Sequence, residues 1–233
     1  MKFQQIENGT ILLQYHGVDL LLNLNVNESM PESVKDCDWS ACVMSSVPLY
    51  PHSSKKDIDL PRSVPIYAAN QHDADRLTKM GFDNVMVVVK GGMDIGGISL
   101  KVIDLPESAT KGRDACLLMS APDEKSVLIA SEYITYDELK HDIEETKAPI
   151  IIVDGYDKRL DDNDLLKEKG HLIKALENIY RIAGEEPHQS LILTHLNRYN
   201  SIYLNQEDAK HWIDRLQKKH WILIPEIDKS YEF

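Results

Sequence analysis

The stretch TILLQYHGVDLLLN, residues 10–23, contains two apolar runs that flank the short segment Tyr15-His16-Gly17. Two such runs around a glycine-containing turn are typical of a β-hairpin. Each run is almost continuously apolar rather than alternating, which favours strands that are buried on both faces. The segment therefore predicts a hairpin in the interior of a larger β-rich fold.

Working outward from the hairpin, the chain shows many short apolar runs and a few helical patterns. The apolar runs predict strands at 41–44, 64–68, 85–89, 98–105, 115–119, 126–130, 149–154, 191–194 and 221–224. Periodicity and capping residues predict helices at 70–80, 136–144, 165–182 and 206–219. Strands dominate first, and helices and strands then alternate without a Pro/Gly-rich linker. This layout predicts one α/β domain over residues 1–233, with two sheets and helices outside them.

Composition excludes several classes of protein. The 233 residues include 38 acidic and 26 basic side chains, giving a formal net charge of -12. This charge argues against a nucleic-acid or an anionic-membrane partner, because both require a basic face. Apolar runs of about six residues are far shorter than the roughly 20 that span a bilayer. No signal-peptide pattern opens the chain, so we expect a cytoplasmic protein.

The three cysteines Cys37, Cys42 and Cys116 have no CxxC or zinc-ribbon spacing. Cys42 and Cys116 lie inside apolar runs, which predicts reduced cysteines in the core.

The loop SSVPLYPHSS, residues 45–54, follows the predicted strand 41–44. Loops at strand ends commonly carry the chemistry of α/β proteins. This loop offers hydroxyls, a tyrosine and a histidine, and it contains no carboxylate. It is therefore a candidate for one wall of a binding site.

The order of elements and several phrases resemble the metallo-β-lactamase superfamily, in the branch of the ascorbate-phosphate lactonase-like hydrolases. The similar phrases are ILLQYHGVDLLLNLN, LPRSVPIYAANQHDADRLTKMGFDNVMVV, GGMDIGGISLKVIDLP, VLIASEYITYDEL and LILTHLNRYNSIYLNQEDAKHWIDRL followed by WILIPE. The resemblance covers nearly the whole chain. It implies a four-layer αββα sandwich of mixed sheets with helices on the outer faces, and a metal-dependent hydrolase.

The family's metal motif, HxHxDH directly after a strand, is replaced in this chain. In register, its ligand positions fall on Ser46, Pro48, Tyr50 and Pro51, none of which is a usual metal ligand. The resemblance therefore implies a degenerate motif, from which the residues that would hold two metal ions have been lost.

The remaining family positions are only partly kept. The Asp-Pro that typically ends the first hairpin is Asn23-Leu24 here, and Glu107 lies near the place of the next histidine. The bridging aspartate maps to Glu132, whose carboxylate would be displaced by about 1.5 Å. The last ligand, His195, has the family's residue type at the family's place.

Two roles are open to the residues that are left. His52, Glu132 and His195 would form a three-ligand site for one zinc or manganese ion, with an open position for water. Asp154 ends a predicted buried strand, where it would orient His195 or act as a base, and Asp154 and His195 are the candidate catalytic pair. The alternative for Asp154 is a turn-forming residue before Gly155.

Four residues are predicted to line a pocket: Ser46, Tyr50, Tyr133 and Asn197. Three functions follow from these observations. The first is a divergent, hydrolase-like protein without a cofactor, which binds a small molecule or a protein partner. The second is a hydrolase of a phosphorylated or lactone-like molecule that uses the rebuilt one-metal site. The third is an assembly subunit whose site is filled with side chains, and a homo-oligomer is compatible with the resemblance.

Overall fold

The structure is a computed structural model that describes residues 1–6, 10–23, 39–45, 63–103, 116–130, 136–154, 190–194, 210, 213–214 and 222–233. Within these residues the strands form two seven-stranded mixed sheets. Sheet A contains, in spatial order, β14 (Ser230–Glu232), β1 (Lys2–Gln5), β2 (Ile11–Tyr15), β3 (Val18–Leu22), β4 (Ala41–Met44), β5 (Ile66–Ala68) and β6 (Val85–Val87). Sheet B contains β13 (Ile222–Leu223), β12 (Ser190–Thr194), β11 (Ile150–Asp154), β10 (Val127–Ile129), β9 (Cys116–Ser120), β8 (Ile98–Ile103) and β7 (Met93–Ile95).

Each sheet changes from antiparallel to parallel pairing. In sheet A, β14, β1, β2 and β3 pair antiparallel, whereas β3, β4, β5 and β6 pair parallel. In sheet B, β7 to β10 pair antiparallel and β10 to β13 pair parallel. All four residues of β4 are buried, as expected for a parallel strand that is covered on both faces.

Side chains that alternate between the two faces of each strand divide the core into three layers. Val43 and Leu22 of sheet A and Ile129 and Ile152 of sheet B belong to one cluster, which fills the space between the two sheets. Residues of opposite parity, such as Cys42 and Ile151, belong to two other clusters on the outer faces. Because side chains alternate between faces along a strand, both faces of each sheet are covered.

The two described helices lie on these outer faces. Helix α1 (Gln71–Lys79) packs Ala74 and Leu77 on sheet A, and helix α2 (Tyr136–Thr146) packs Ile143 on sheet B. The layers are therefore helix, sheet, sheet and helix, which confirms the predicted αββα sandwich. The predicted helix at 165–182 lies outside the described residues, and of 206–219 only residues 210, 213 and 214 are described.

Helix α1 begins and ends as its sequence predicts. The Asn70 side chain accepts a hydrogen bond from the Asp73 backbone N–H at 2.8 Å and donates one to the Asp73 carboxylate at 3.0 Å. This reciprocal pair satisfies two groups at the helix start. Gly81 follows the C-cap residue Met80 with φ of 92°, a conformation that favours glycine.

Candidate functional site

The two sheets are tied together at one edge of the sandwich. The hydroxyl of Tyr15, the last residue of β2, donates to the Lys125 carbonyl at 2.9 Å. Tyr15 immediately precedes the turn into β3, and Lys125 lies just before β10. The amino ends of β3 and β10 are therefore neighbours, and we call this side of the sandwich the amino edge. Burial raises the pKa of Tyr15 to about 12, so the hydroxyl remains a donor at ordinary pH.

It follows that the carboxyl ends of two sets of parallel strands share the opposite side, which we call the carboxyl edge. Strands β3, β4 and β5 run parallel in sheet A, and β10, β11 and β12 run parallel in sheet B. Open α/β sheets bind ligands beyond the carboxyl ends of their strands. The candidate site is accordingly the carboxyl edge.

The sequence-predicted site residues all follow strands that end at this edge. Ser46, Tyr50 and His52 follow β4, Glu132 and Tyr133 follow β10, and His195 and Asn197 follow β12. These seven residues lie outside the described part of the chain. Asp154 is described in its backbone, as the last residue of β11, paired with Thr194 of β12. The fold thus brings to one edge the strands that precede or contain these residues. The roles of the eight side chains stay predictions.

One pair of side chains is placed at the carboxyl edge of sheet A. Asn23 directly follows β3 and is buried, with 7% of its surface exposed, and Ser45 directly follows β4 and is fully buried. The Asn23 Oδ1 atom accepts two hydrogen bonds of 2.9 Å, from the backbone N–H and from the hydroxyl of Ser45. The Asn23 backbone N–H donates to the Val43 carbonyl at 2.9 Å. These contacts fix the first residue of the 45–54 loop to the end of β3.

The backbone of Asn23 explains why an amide residue stands there. Its φ is 49°, in the left-handed region that asparagine tolerates better than most residues. Sequence reasoning identified Asn23 only as a departure from the Asp-Pro pattern and did not foresee Ser45 as its partner. An asparagine at the end of an apolar strand was the one local signal for this turn.

This pair supplies no charge for a metal ion. Asn23 is neutral, and the two hydrogen bonds from Ser45 occupy both acceptor positions of its Oδ1 atom. A carboxylate at the same place would supply negative charge to nearby cations, whereas the amide supplies none. Within the described residues, no group of three or more His, Cys, Asp or Glu side chains is arranged to hold a metal ion.

The edge of sheet B also contains a buried hydroxyl. Thr194, the last residue of β12, is 1% exposed, and its Oγ1 atom donates to the Val153 carbonyl at 3.3 Å. This contact joins the ends of β11 and β12 immediately before His195. No sequence pattern singled out Thr194 as a site residue. Both sheets therefore present an uncharged, internally hydrogen-bonded residue at the carboxyl edge.

Two further observations bear on the predictions from composition. Cys42 and Cys116 are buried and form no disulfide within the described part of the chain, as predicted. None of the helices in the described segments is long and apolar enough to cross a membrane.

Comparison with known proteins gave one sequence relative and several structural ones. No protein-family model matches the chain. The UPF0173 protein YddR of Bacillus subtilis (strain 168) is 25% identical over 266 aligned positions, which cover both proteins in full. This identity is low, but the alignment covers both proteins completely.

Several solved structures resemble this chain in fold more than in sequence. An isothiocyanate hydrolase from Delia radicum gut bacteria aligns with a TM-score of 0.76 and 19% identity, covering 100% of this chain and 99% of that one. A possible metal-dependent hydrolase from Veillonella parvula DSM 2008 aligns with a TM-score of 0.75 and 14% identity, covering 99% and 98%. The metallo-beta-lactamase fold protein YhfI from Bacillus subtilis aligns with a TM-score of 0.58 and 13% identity, covering 99% of each chain. At these identities the likeness concerns the fold.

Proposed function

The chain has the metallo-β-lactamase fold, and from that premise we propose that it is a hydrolase-like protein without the dinuclear metal centre. In this proposal the carboxyl edge binds a small molecule or a protein partner. The observation that carries the proposal is the Asn23–Ser45 pair, in which a neutral amide is saturated by hydrogen bonds from the start of the loop. That loop is the one whose register corresponds to the family's metal motif.

The sequence of the loop supports the same conclusion. Ser46, Pro48, Tyr50 and Pro51 stand at the motif's ligand positions, and a proline side chain has no donor atom for a metal. A dinuclear site requires several anionic or imidazole ligands from this loop, because each ion takes at least three protein ligands. The loop and the turn on which it rests have therefore both departed from metal binding.

Ser46, Tyr50, Tyr133 and Asn197 are proposed to line the binding pocket. All four follow strands β4, β10 or β12, whose ends meet at the carboxyl edge. Tyrosine rings supply flat apolar contact, and tyrosine, serine and asparagine side chains supply hydrogen bonds, which together suit an uncharged organic ligand. We also propose that residues 1–233 form one domain, because residues of both sheets belong to one central cluster.

A second candidate is a hydrolase with a rebuilt site for one zinc or manganese ion, held by His52, Glu132 and His195. It is favoured by the hydrolases among the structural neighbours, one of which is described as a possible metal-dependent enzyme. The ion would supply an acidified water molecule as nucleophile. Asp154, at the end of β11 next to β12, would orient His195 in such a site. The substrate would be a phosphorylated or lactone-like small molecule.

Thermal unfolding with and without added metal separates the two candidates. The first predicts the same melting temperature with no addition, with zinc chloride and with manganese chloride, because a metal that does not bind the folded state does not stabilise it. A rise in the wild type that is absent from His195→Ala would support the second candidate. Glu226→Gln, in an exposed turn, is the matched control that should behave as the wild type. A phosphoesterase and lactonase screen would then identify the reaction.

A further inference from the structure

Helix α2 contains a buried carboxyl group that the proposed function does not use. The side chain of Asp142 is fully buried against sheet B. Its Oδ1 atom lies 3.4 Å from Nδ1 of His141, whose side chain is half exposed. No hydrogen-bond donor among the described residues reaches its Oδ2 atom. A buried acceptor without a partner is rare in folded proteins and calls for an explanation.

The carboxyl group of Asp142 lies in mostly apolar surroundings. The Cys116 thiol of β9, itself fully buried, donates a hydrogen bond to it. Titratable groups that face Asp142 within the described residues are Cys116 from β9 and His141 and Glu145 from its own helix. Apolar side chains of the same cluster come from β10 and the residue after it, from β11 and from β12: Leu128, Ala130, Ile151, Val153, Leu191 and Leu193.

Burial raises the pKa of Asp142 above its ordinary value, against smaller opposing effects of Cys116 and His141. A charged carboxylate in this cluster loses its hydration, whereas the neutral acid loses much less. Protonation and docking of the helix are therefore linked, since the docked helix binds the proton more tightly than the undocked one.

We propose that Asp142 makes the docking of helix α2 on sheet B a pH-sensitive latch. The neutral carboxyl group holds the helix against the sheet, and its ionisation favours a local opening that exposes Cys116. Helix α2 begins at Tyr136, and the residues before it join the helix to the carboxyl end of β10. In the sequence, Glu132 and Tyr133 lie in this connection.

Helix α1 provides an internal comparison. It covers Cys42, which is as fully buried on the outer face of sheet A as Cys116 is on sheet B. Its own buried carboxylate, Asp73, is hydrogen-bonded to Asn70. The labelling rate of Cys42 therefore measures how often helix α1 opens, on the outer face where the buried carboxylate is hydrogen-bonded.

Thiol labelling of the full chain tests the latch. The protein is treated briefly with dithiodipyridine between about pH 4 and about pH 7, the range above the ordinary aspartate pKa. The labelled peptides containing Cys37, Cys42 and Cys116 are then separated by mass spectrometry. Because every thiol reacts as its thiolate, the pH dependence of the reagent itself cancels in the ratio of the Cys116 rate to the Cys42 rate.

The latch predicts that this ratio rises with pH, by up to about tenfold per pH unit for one linked proton. In Asp142→Asn the ratio should be independent of pH, and in the matched control Glu145→Gln, which removes an exposed carboxylate of the same helix, it should rise as in the wild type. A constant ratio in the wild type, or an equal rise in Asp142→Asn, would overturn the proposal. If Asp142→Asn does not fold, the wild-type ratio decides the question by itself.

Discussion

The two edges of the sandwich are built in opposite ways. At the amino edge, short turns contact one another: the β2–β3 turn meets the β9–β10 turn through Tyr15 and through a 3.3 Å hydrogen bond from the His16 N–H to Glu124. The β7–β8 turn is equally close, because a Cβ added to Gly97 would lie 3.2 Å from the His16 ring. At the carboxyl edge, β4, β11 and β12 instead continue into much longer connections to the next strand.

If the carboxyl edge binds the ligand as proposed, this difference separates the edge that stabilises the sandwich from the edge that binds. Short turns leave little choice of conformation, so hydrogen bonds between them act mainly to hold the two sheets together. Long connections carry the variable side chains that bind ligands. The Asn23–Ser45 pair is the exception, since it is a rigid and buried element at the carboxyl edge.

The largest effect is expected at the amino edge. Tyr15→Ala removes a fully buried ring and its contact with Lys125, and it should lower the free energy of unfolding by about 3–5 kcal/mol. Tyr15→Phe keeps the ring and loses only the hydroxyl, so about 1 kcal/mol is expected. Urea denaturation measures both. Equal losses in the two variants would show that the hydrogen bond, and not packing, holds this edge together.

The next effect concerns the rigid pair at the carboxyl edge. Asn23→Ala leaves the buried N–H and hydroxyl of Ser45 without their acceptor and should cost about 1–3 kcal/mol. Ser45→Ala, the smaller change, removes the hydroxyl bond and keeps the backbone one, so its cost should be lower. Denaturation midpoints of the two variants test this order, which would be reversed if the hydroxyl were the dominant contact.

Asn23→Asp tests the same position in another way. It restores the aspartate of the family's Asp-Pro pattern in a side chain of nearly the same size. A buried charge without a cation is unfavourable, so this variant should lose stability as pH rises, and zinc or manganese should not restore it. Full recovery of the melting temperature with either metal would mean that other side chains at the carboxyl edge still bind a metal ion.

A further effect is the pH dependence that Asp142 contributes to global stability. Its pKa is raised in the folded state, so the folded protein binds more protons than the unfolded one. This contribution to stability is fully present below the ordinary aspartate pKa and is lost as pH rises through the folded-state pKa, at a slope of up to about 1.4 kcal/mol per pH unit. Asp142→Asn should remove this slope in urea titrations at several pH values. An unchanged slope would assign it to other groups.

Most of the fold was predictable because apolar runs mark buried strands directly. The hairpin of β2 and β3, the helix at Gln71–Lys79 and the strands β4, β5 and β8 to β12 lie within about two residues of their predicted bounds. Strands β1, β7 and β14 were missed. Their sequences, KFQQ, MDI and SYE, are too short to show a clear apolar run, and they are strands because neighbouring strands supply their partners.

The candidate site was predictable only at the level of strand ends. Parallel pairing of β10, β11 and β12 brings Asp154 next to Thr194, and a sequence pattern can indicate such an edge. The contact between Asn23 and Ser45 joins residues that are 22 positions apart, and no local pattern encodes it. His52, Glu132 and His195 lie outside the described residues, so their roles stay predictions.

We proposed that this chain keeps the fold without the dinuclear metal centre. Elemental analysis of protein purified without chelator and without a metal-affinity resin tests it most directly. The proposed function predicts far less than one transition-metal ion per folded chain, in the wild type and in His195→Ala alike. One or more zinc or manganese ions per chain that disappear in His195→Ala would contradict it, and would identify the carboxyl edge as a working metal site.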